Sequence, residues 1–171
     1  EILRDDRFLV LGLKDAVPFP EVEEDMGTLE GNAVKKARTA YENTGLPSIA
    51  DDTGLEVDCL DGKPGVYSAR FAGPDATYED NNRKLLALME GVPQERRTAS
   101  FRTAAAFVSD RGVKVVHGTC RGKIQTAPSG TAGFGYDPLF FVPDMGKTYA
   151  EMEDDEKNRI SHRGKAFRAL S

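Results

Sequence analysis

Apolar positions along the chain change period several times, and each change marks an element. Leu29, Ala33, Ala37, Ala40 and Tyr41 recur at helical spacing. Thr28 stands where an N-cap side chain serves the first turn, and Asn43-Thr44-Gly45 closes the segment with a usual stop signal. Ahead of that helix, residues 1–4 resemble the tail of another, Phe8-Leu9-Val10-Leu11 reads as a short buried strand, and the Pro- and Glu-rich stretch 18–27 as a loop. Residues 47–50 form a strand ending at Asp51-Asp52 beside a Thr53-Gly54 turn; beyond it Leu55, Val57 and Cys59 alternate with polar neighbours as in a half-buried strand. Residues 61–65 read as a long turn, and Thr77 with Asp80 has the form of a capping box ahead of a helix carrying Leu85, Leu86, Leu88 and Met89. A hairpin follows, 101–108 and 113–119 about a turn at Asp110-Arg111-Gly112. A glycine-rich loop at 130–135, a strand at 139–142 and two short helices, at 151–157 and from Ser161 onward, complete the pattern. Helices and strands alternate without strict βαβ regularity, and a hairpin is present. The expectation is one α/β domain over residues 1–171, with a mixed sheet flanked by helices.

Composition narrows the function. With 23 Lys plus Arg against 28 Asp plus Glu, the net charge is -5. No overall field draws such a chain onto nucleic acid, so any anion must be held by a few local cations or a metal ion. No apolar run reaches the roughly 18 residues that span a bilayer, and no signal-peptide pattern is visible. The expectation is a cytoplasmic protein with neither nucleic-acid nor membrane partner. Cys59 and Cys120 are far apart, which points to neither a disulfide framework nor a zinc site. Gly146-Lys147-Thr148 ends like a phosphate-binding P-loop, but Phe141 stands where that motif requires glycine. Gly133-Phe134-Gly135 lacks the third glycine of a dinucleotide fingerprint. There is no Gly-x-Ser-x-Gly elbow, and His117 and His162 alone are too few for a zinc hydrolase.

What remains is acidic, basic and aromatic. Asp51-Asp52 is either an Asx turn or a source of carboxylate for a hard cation. Because adjacent strand residues face opposite ways, only one of the two would meet a substrate directly. Glu23-Glu24-Asp25 is a solvated charge run or a second carboxylate source. Of Lys35 and Lys36, helical spacing turns one toward the side flanked by Ala33 and Ala37. Phe134 between Gly133 and Gly135 makes a poor core element but a good platform for a flat ring, since glycine lets the backbone come close. Arg159, Arg163 and Lys165 crowd a helix start at Ser161, an end where structural helices prefer negative charge. Either an electron-rich ligand or a nonspecific basic face accounts for them.

The blocks Asp51-Asp52-Thr53-Gly54-Leu55, Pro64-Gly65-Val66-Tyr67-Ser68-Ala69-Arg70-Phe71, Gly133-Phe134-Gly135-Tyr136-Asp137-Pro138 and Ser161-His162-Arg163-Gly164 resemble, in order and spacing, the inosine/xanthosine triphosphate pyrophosphatases. The resemblance implies an elongated mixed sheet in two lobes around a central cleft, a homodimer, and Mg2+-dependent hydrolysis of ITP, dITP and XTP to the monophosphate and pyrophosphate. It implies that Asp52 is the proton acceptor and, with Glu24, binds the metal. Lys36 then contacts the triphosphate, and Thr53 contacts substrate. Phe134, Gly135, Tyr136, Asp137 and Lys157 bind the nucleotide, and His162 with Arg163 reads the purine edge. One departure stands out: no residues here correspond to the Ser/Thr-x-Asn-x-x-Lys loop with which that family opens, Glu1 falling just after it, and the last helix stops early. Two rival readings are a Maf-type nucleotide pyrophosphatase of other base preference and a catalytically silent nucleotide-binding module.

Overall fold

The computed structural model describes residues 9–15 and 18–170. Its strands are β1 (Ser48–Val57), β2 (Pro64–Gly65), β3 (Thr98–Ser109), β4 (Gly112–Ile124), β5 (Phe140–Val142) and β6 (Lys147–Thr148). They form one sheet in the order β2-β1-β3-β4-β5-β6, and every pairing among the described residues is antiparallel. Four helices accompany it: α1 (Leu29–Thr44), α2 (Tyr78–Leu88), α3 (Asp154–Ile160) and α4 (His162–Leu170). The α/β class and the helix-flanked sheet are as expected.

Both faces of the central strands are covered, which is why β3 reads as a nearly continuous buried run. On one face, Leu29, Ala33 and Ala37 of α1 pack on Ala104, Ala106 and Val108. Alternation sends Phe101, Thr103 and Ala105 to the other face, where α4 lies and the larger cluster of Leu55, Leu85, Phe101, Phe140 and Tyr149 begins. The approach of α4 depends on Gly118. A Cβ there would lie 1.9 Å from the His162 carbonyl oxygen and 2.6 Å from the Ala166 nitrogen.

The helix ends follow their local signals. Thr28 Oγ1 accepts from the Gly31 nitrogen at 3.0 Å, and Gly45 takes the left-handed conformation at φ 68 that terminates α1. Thr77 and Asp80 form the reciprocal capping box of α2. At the far end of α2, the buried Arg97 donates to the carbonyls of Met89, Ile124 and Gln125, tying the helix to β4.

Two expectations are corrected. Thr53-Gly54 is not a turn: residues 48–57 form one unbroken strand. Glycine is needed at position 54 because a Cβ would lie 2.5 Å from the Gly65 carbonyl oxygen of β2. The apolar run at 8–11 is also not a buried strand. Leu9, Val10 and Leu11 are 86%, 61% and 47% exposed and carry no strand assignment, while Phe8 and the helix tail expected at residues 1–4 lie outside the described residues. An apolar run becomes a strand only where a sheet edge pairs with it, a condition the run itself does not encode. Cys59 and Cys120 are free thiols. No helix among the described residues is long and apolar enough to cross a membrane.

Candidate active site

Asp52 is the point from which the site grows. It pairs with Ala104 on the α1 face of the sheet and is itself buried. Across from it, Asn32 and Lys36 stand one turn apart on α1, so both reach the same carboxylate. Asn32 Nδ2 donates to Asp52 Oδ2 at 2.9 Å, and Lys36 Nζ lies 3.3 Å from Oδ1. The same ammonium donates to Glu24 Oε1 at 2.6 Å. Glu24 is held from behind by Arg70, which donates to its carbonyl at 2.8 Å. Two carboxylates thus converge on one cation. Burial pushes the Asp52 carboxyl above its ordinary range and Glu24 adds to the rise, while Asn32 and Lys36 pull against it. The neighbouring Lys35 turns away to the exposed Asp25, so Lys36 is the lysine aimed inward.

Asp51 leaves β1 on the opposite face, as strand alternation requires. Arg163, in the first turn of α4, donates from Nε and Nη2 to Asp51 Oδ2, each at 2.8 Å. Its guanidinium carbon lies 5.9 Å from the centre of the Phe134 ring, and Lys157 Nζ lies 5.6 Å from that same centre. Phe134 itself is 56% exposed. The loop carrying it is fixed by Asp137, whose Oδ2 accepts from the Phe134 nitrogen at 3.0 Å and from Lys157. Gly133, at φ 73, is required there because a Cβ would lie 2.0 Å from that carboxylate oxygen. Thr53, on the Asp51 face, hydrogen-bonds Thr103 at 2.6 Å.

Two expected site residues turn inward. Tyr136 is buried, with its hydroxyl donating to the Ser68 carbonyl at 2.9 Å, so its side chain anchors the loop from beneath. His162 is 7% exposed and stacks on Phe101 at 4.7 Å, with Nδ1 3.4 Å from the Tyr149 hydroxyl. Burial, helped by Arg163, Lys157 and Lys165, pushes its pKa down to about 3, so the imidazole is neutral at physiological pH. Ser161 caps α4, accepting from the Gly164 nitrogen at 3.0 Å, and leaves Arg163 projecting from the helix start.

The acid cluster and the ring cluster therefore hang from adjacent residues of β1, on opposite faces of the sheet. Among the described residues, β2 pairs with β1 only at Leu55 and Glu56, and no described strand lies outside residues 48–53. Among the described residues no group of three or more His, Cys, Asp or Glu side chains converges. The acid pair with its lysine is instead the arrangement suited to a polyanion that brings its own oxygen ligands.

The sequence model of the Ham1 family matches residues 1–171. The chain belongs to the Ham1 family. It is 54% identical over 164 residues to the dITP/XTP pyrophosphatase of Geobacter sulfurreducens, covering 95% of this chain and 82% of that protein. It is 50% identical over 169 residues to the dITP/XTP pyrophosphatase of Desulforamulus reducens, covering 98% and 84%. The solved Ham1 protein of Staphylococcus aureus superposes with a TM-score of 0.88 at 38% identity, over 99% of this chain and 86% of that one. The Ham1 fold thus accounts for the sheet and its helices as a unit. Within this Ham1 chain, Asn32 and Arg70 were missed by sequence reasoning. Asn32 had one legible signal: it is a polar residue in the apolar stripe of Leu29, Ala33 and Ala37, one turn before Lys36.

Proposed function

We propose that this chain hydrolyses non-canonical purine nucleoside triphosphates such as ITP, dITP and XTP to the monophosphate and pyrophosphate. One observation carries the reading. The carboxylates of Glu24 and Asp52 converge on Lys36, and the residue next to Asp52 in β1 holds Arg163 beside the open face of Phe134. A polyanion site and a flat-ring site then share one strand. The names of the relatives, dITP/XTP pyrophosphatases, support the same reaction.

The acid pair already shares one cation, and Mg2+ takes one or two carboxylates with water and substrate phosphates, so Glu24 and Asp52 fit it. When bound, the metal ion would neutralise phosphate charge and favour departure of pyrophosphate. The remaining work falls to the side chains. Asn32 occupies Oδ2 of Asp52, and Oδ1, which faces Lys36 Nζ at 3.3 Å, keeps a second lone pair to accept the proton of the attacking water. Lys36 and Lys157 balance the charge of the phosphates. The purine stacks on Phe134, a contact worth about 1–3 kcal/mol that does not choose between bases. Choice falls to Arg163, held by Asp51, which donates to the six-position carbonyl of hypoxanthine or xanthine and finds only an amino donor on adenine. A donor left unpaired that way disfavours adenine, and the more so the further the bound base shields Arg163 from water. The family resemblance carries one further part of the reading, a homodimer.

The deciding experiment compares pyrophosphate release from dITP, XTP, GTP and ATP with Mg2+, and again with EDTA. Rapid turnover of dITP and XTP, abolished by EDTA, is expected. Equal rates on all four would overturn base selection, and nucleotide binding without pyrophosphate release would identify a silent binding module.

A further inference from the structure

The Phe134 ring is supported by a helix that carries none of the groups above. Tyr78 and Asn82 stand one turn apart on α2, on the same side of the helix, and both reach the glycine-rich loop. The Tyr78 ring lies 6.0 Å from that of Phe134, tilted by 41°, and Asn82 Nδ2 donates to the Gly135 carbonyl at 3.0 Å. Each ring is 56% exposed, so their contact is not a by-product of core packing. Asp137 holds the Phe134 backbone nitrogen, but Gly133 and Gly135, which flank it with positive φ, bring no side chain against its ring. Its ring therefore needs a support from outside the loop. The first turn of α2, which bears Tyr78, is fixed by the Thr77–Asp80 box. Asn82 Oδ1 is buried without a hydrogen-bond partner among the described residues, so the bond from Nδ2 to Gly135 is what this amide contributes, and leucine could not make it.

We propose that Tyr78 and Asn82 are positioning residues for the base: Tyr78 sets the tilt of the Phe134 ring, and Asn82 sets the height of its loop. This rests on the reading that Phe134 stacks the purine. The test is steady-state kinetics on dITP, with thermal melts, for Tyr78→Ala, Tyr78→Phe, Asn82→Leu, Phe134→Ala and the Tyr78→Ala/Phe134→Ala double variant. Losing one aromatic partner raises KM for Tyr78→Ala by about 3- to 10-fold with kcat within about twofold and the melt unchanged. Tyr78→Phe restores KM, Asn82→Leu shifts it in the same direction as Tyr78→Ala, and Tyr78→Ala adds nothing once Phe134 is gone. A wild-type KM in Tyr78→Ala alongside a raised KM in Phe134→Ala overturns the positioning role while leaving the stacking reading intact. A wild-type KM in Phe134→Ala overturns the stacking reading itself. Additive effects in the double variant also overturn the proposal, because Tyr78 would then act without Phe134.

Discussion

Gly118→Ala puts the dependence of the site on its scaffold to a quantitative test. The added methyl would begin 1.9 Å from the His162 carbonyl oxygen and 2.6 Å from the Ala166 nitrogen, whereas ordinary contacts of a Cβ start near 3.4 Å. Both obstacles are backbone, so no side chain can rotate aside, and α4 must retreat from β4 by about 1.5 Å. Overpacking of this kind costs about 1–3 kcal/mol, and a clash against helix backbone belongs at the upper end. For a domain of this size that corresponds to a fall in Tm of roughly 6–12 °C. The same retreat moves Arg163 off Asp51, and a displacement of about 1 Å in a positioned group costs on the order of 10²-fold in kcat/KM. Thermal melts followed by circular dichroism, with kcat/KM for dITP at 25 °C, read both effects. Gly27→Ala is the control, since a Cβ there meets nothing within 4 Å, and its stability should stay within about 0.5 kcal/mol of wild type. A Gly118→Ala protein with wild-type Tm would refute the steric reasoning. A lowered Tm with undiminished kcat/KM would refute the coupling of α4 to the site.

Three other outcomes are expected. Asp52→Asn keeps the shape of the side chain but removes the proton acceptor, so pyrophosphate release from dITP should fall by about 10²- to 10⁴-fold with KM little changed; near-normal turnover would rule the role out. Gly133→Ala places a methyl 2.0 Å from Asp137 Oδ2 at a residue with φ 73, so the Asp137–Lys157 pair should open and KM should rise together with a loss of stability; unchanged kinetics would show that this pair does not set the loop. His162, pushed down to about 3 from 6.5, binds fewer protons in the folded than in the unfolded protein below neutrality. Its contribution is therefore fully present above the unfolded pKa and drains away as pH falls toward 3, at up to about 1.4 kcal/mol per pH unit. Denaturant midpoints of wild type should drop more steeply between pH 6 and about 4 than those of His162→Gln, and parallel curves would contradict the burial of a neutral imidazole.

What the sequence made legible was whatever is encoded locally. The Thr28 cap, the Gly45 stop, the Thr77–Asp80 box and the hairpin turn each act within a few residues, and each was readable. Gly54 was misread because glycine carries the same letter in a turn and in a strand. Its reason for being there is the backbone of Gly65, a contact only the folded sheet creates. In the candidate site, Asp52, Glu24 and Lys36 were legible as residue types, and strand alternation separated Asp51 from Asp52 in advance. The partners that orient them were not. Arg163 comes to Asp51 from the other end of the chain. The inward turn of His162 depends on the rings of Phe101 and Tyr149, and that of Tyr136 on the distant Ser68 carbonyl. Leu9 to Leu11 illustrate the opposite error, a convincing apolar run left facing solvent.

The opposed orientations of Asp51 and Asp52 have a consequence for how such a protein can change. Whatever Asp52 does is governed from α1, through Asn32 and Lys36, whereas Arg163 and the ring beside it answer to α4 and the loop before it. The two sets of partners approach β1 from opposite faces of the sheet. On the proposed roles, substitutions in α4 would retune which heterocycle is accepted while the acids stay put, and substitutions in α1 would alter hydrolysis. Inserting or deleting a single residue early in β1 would exchange the two sides and lose both at once.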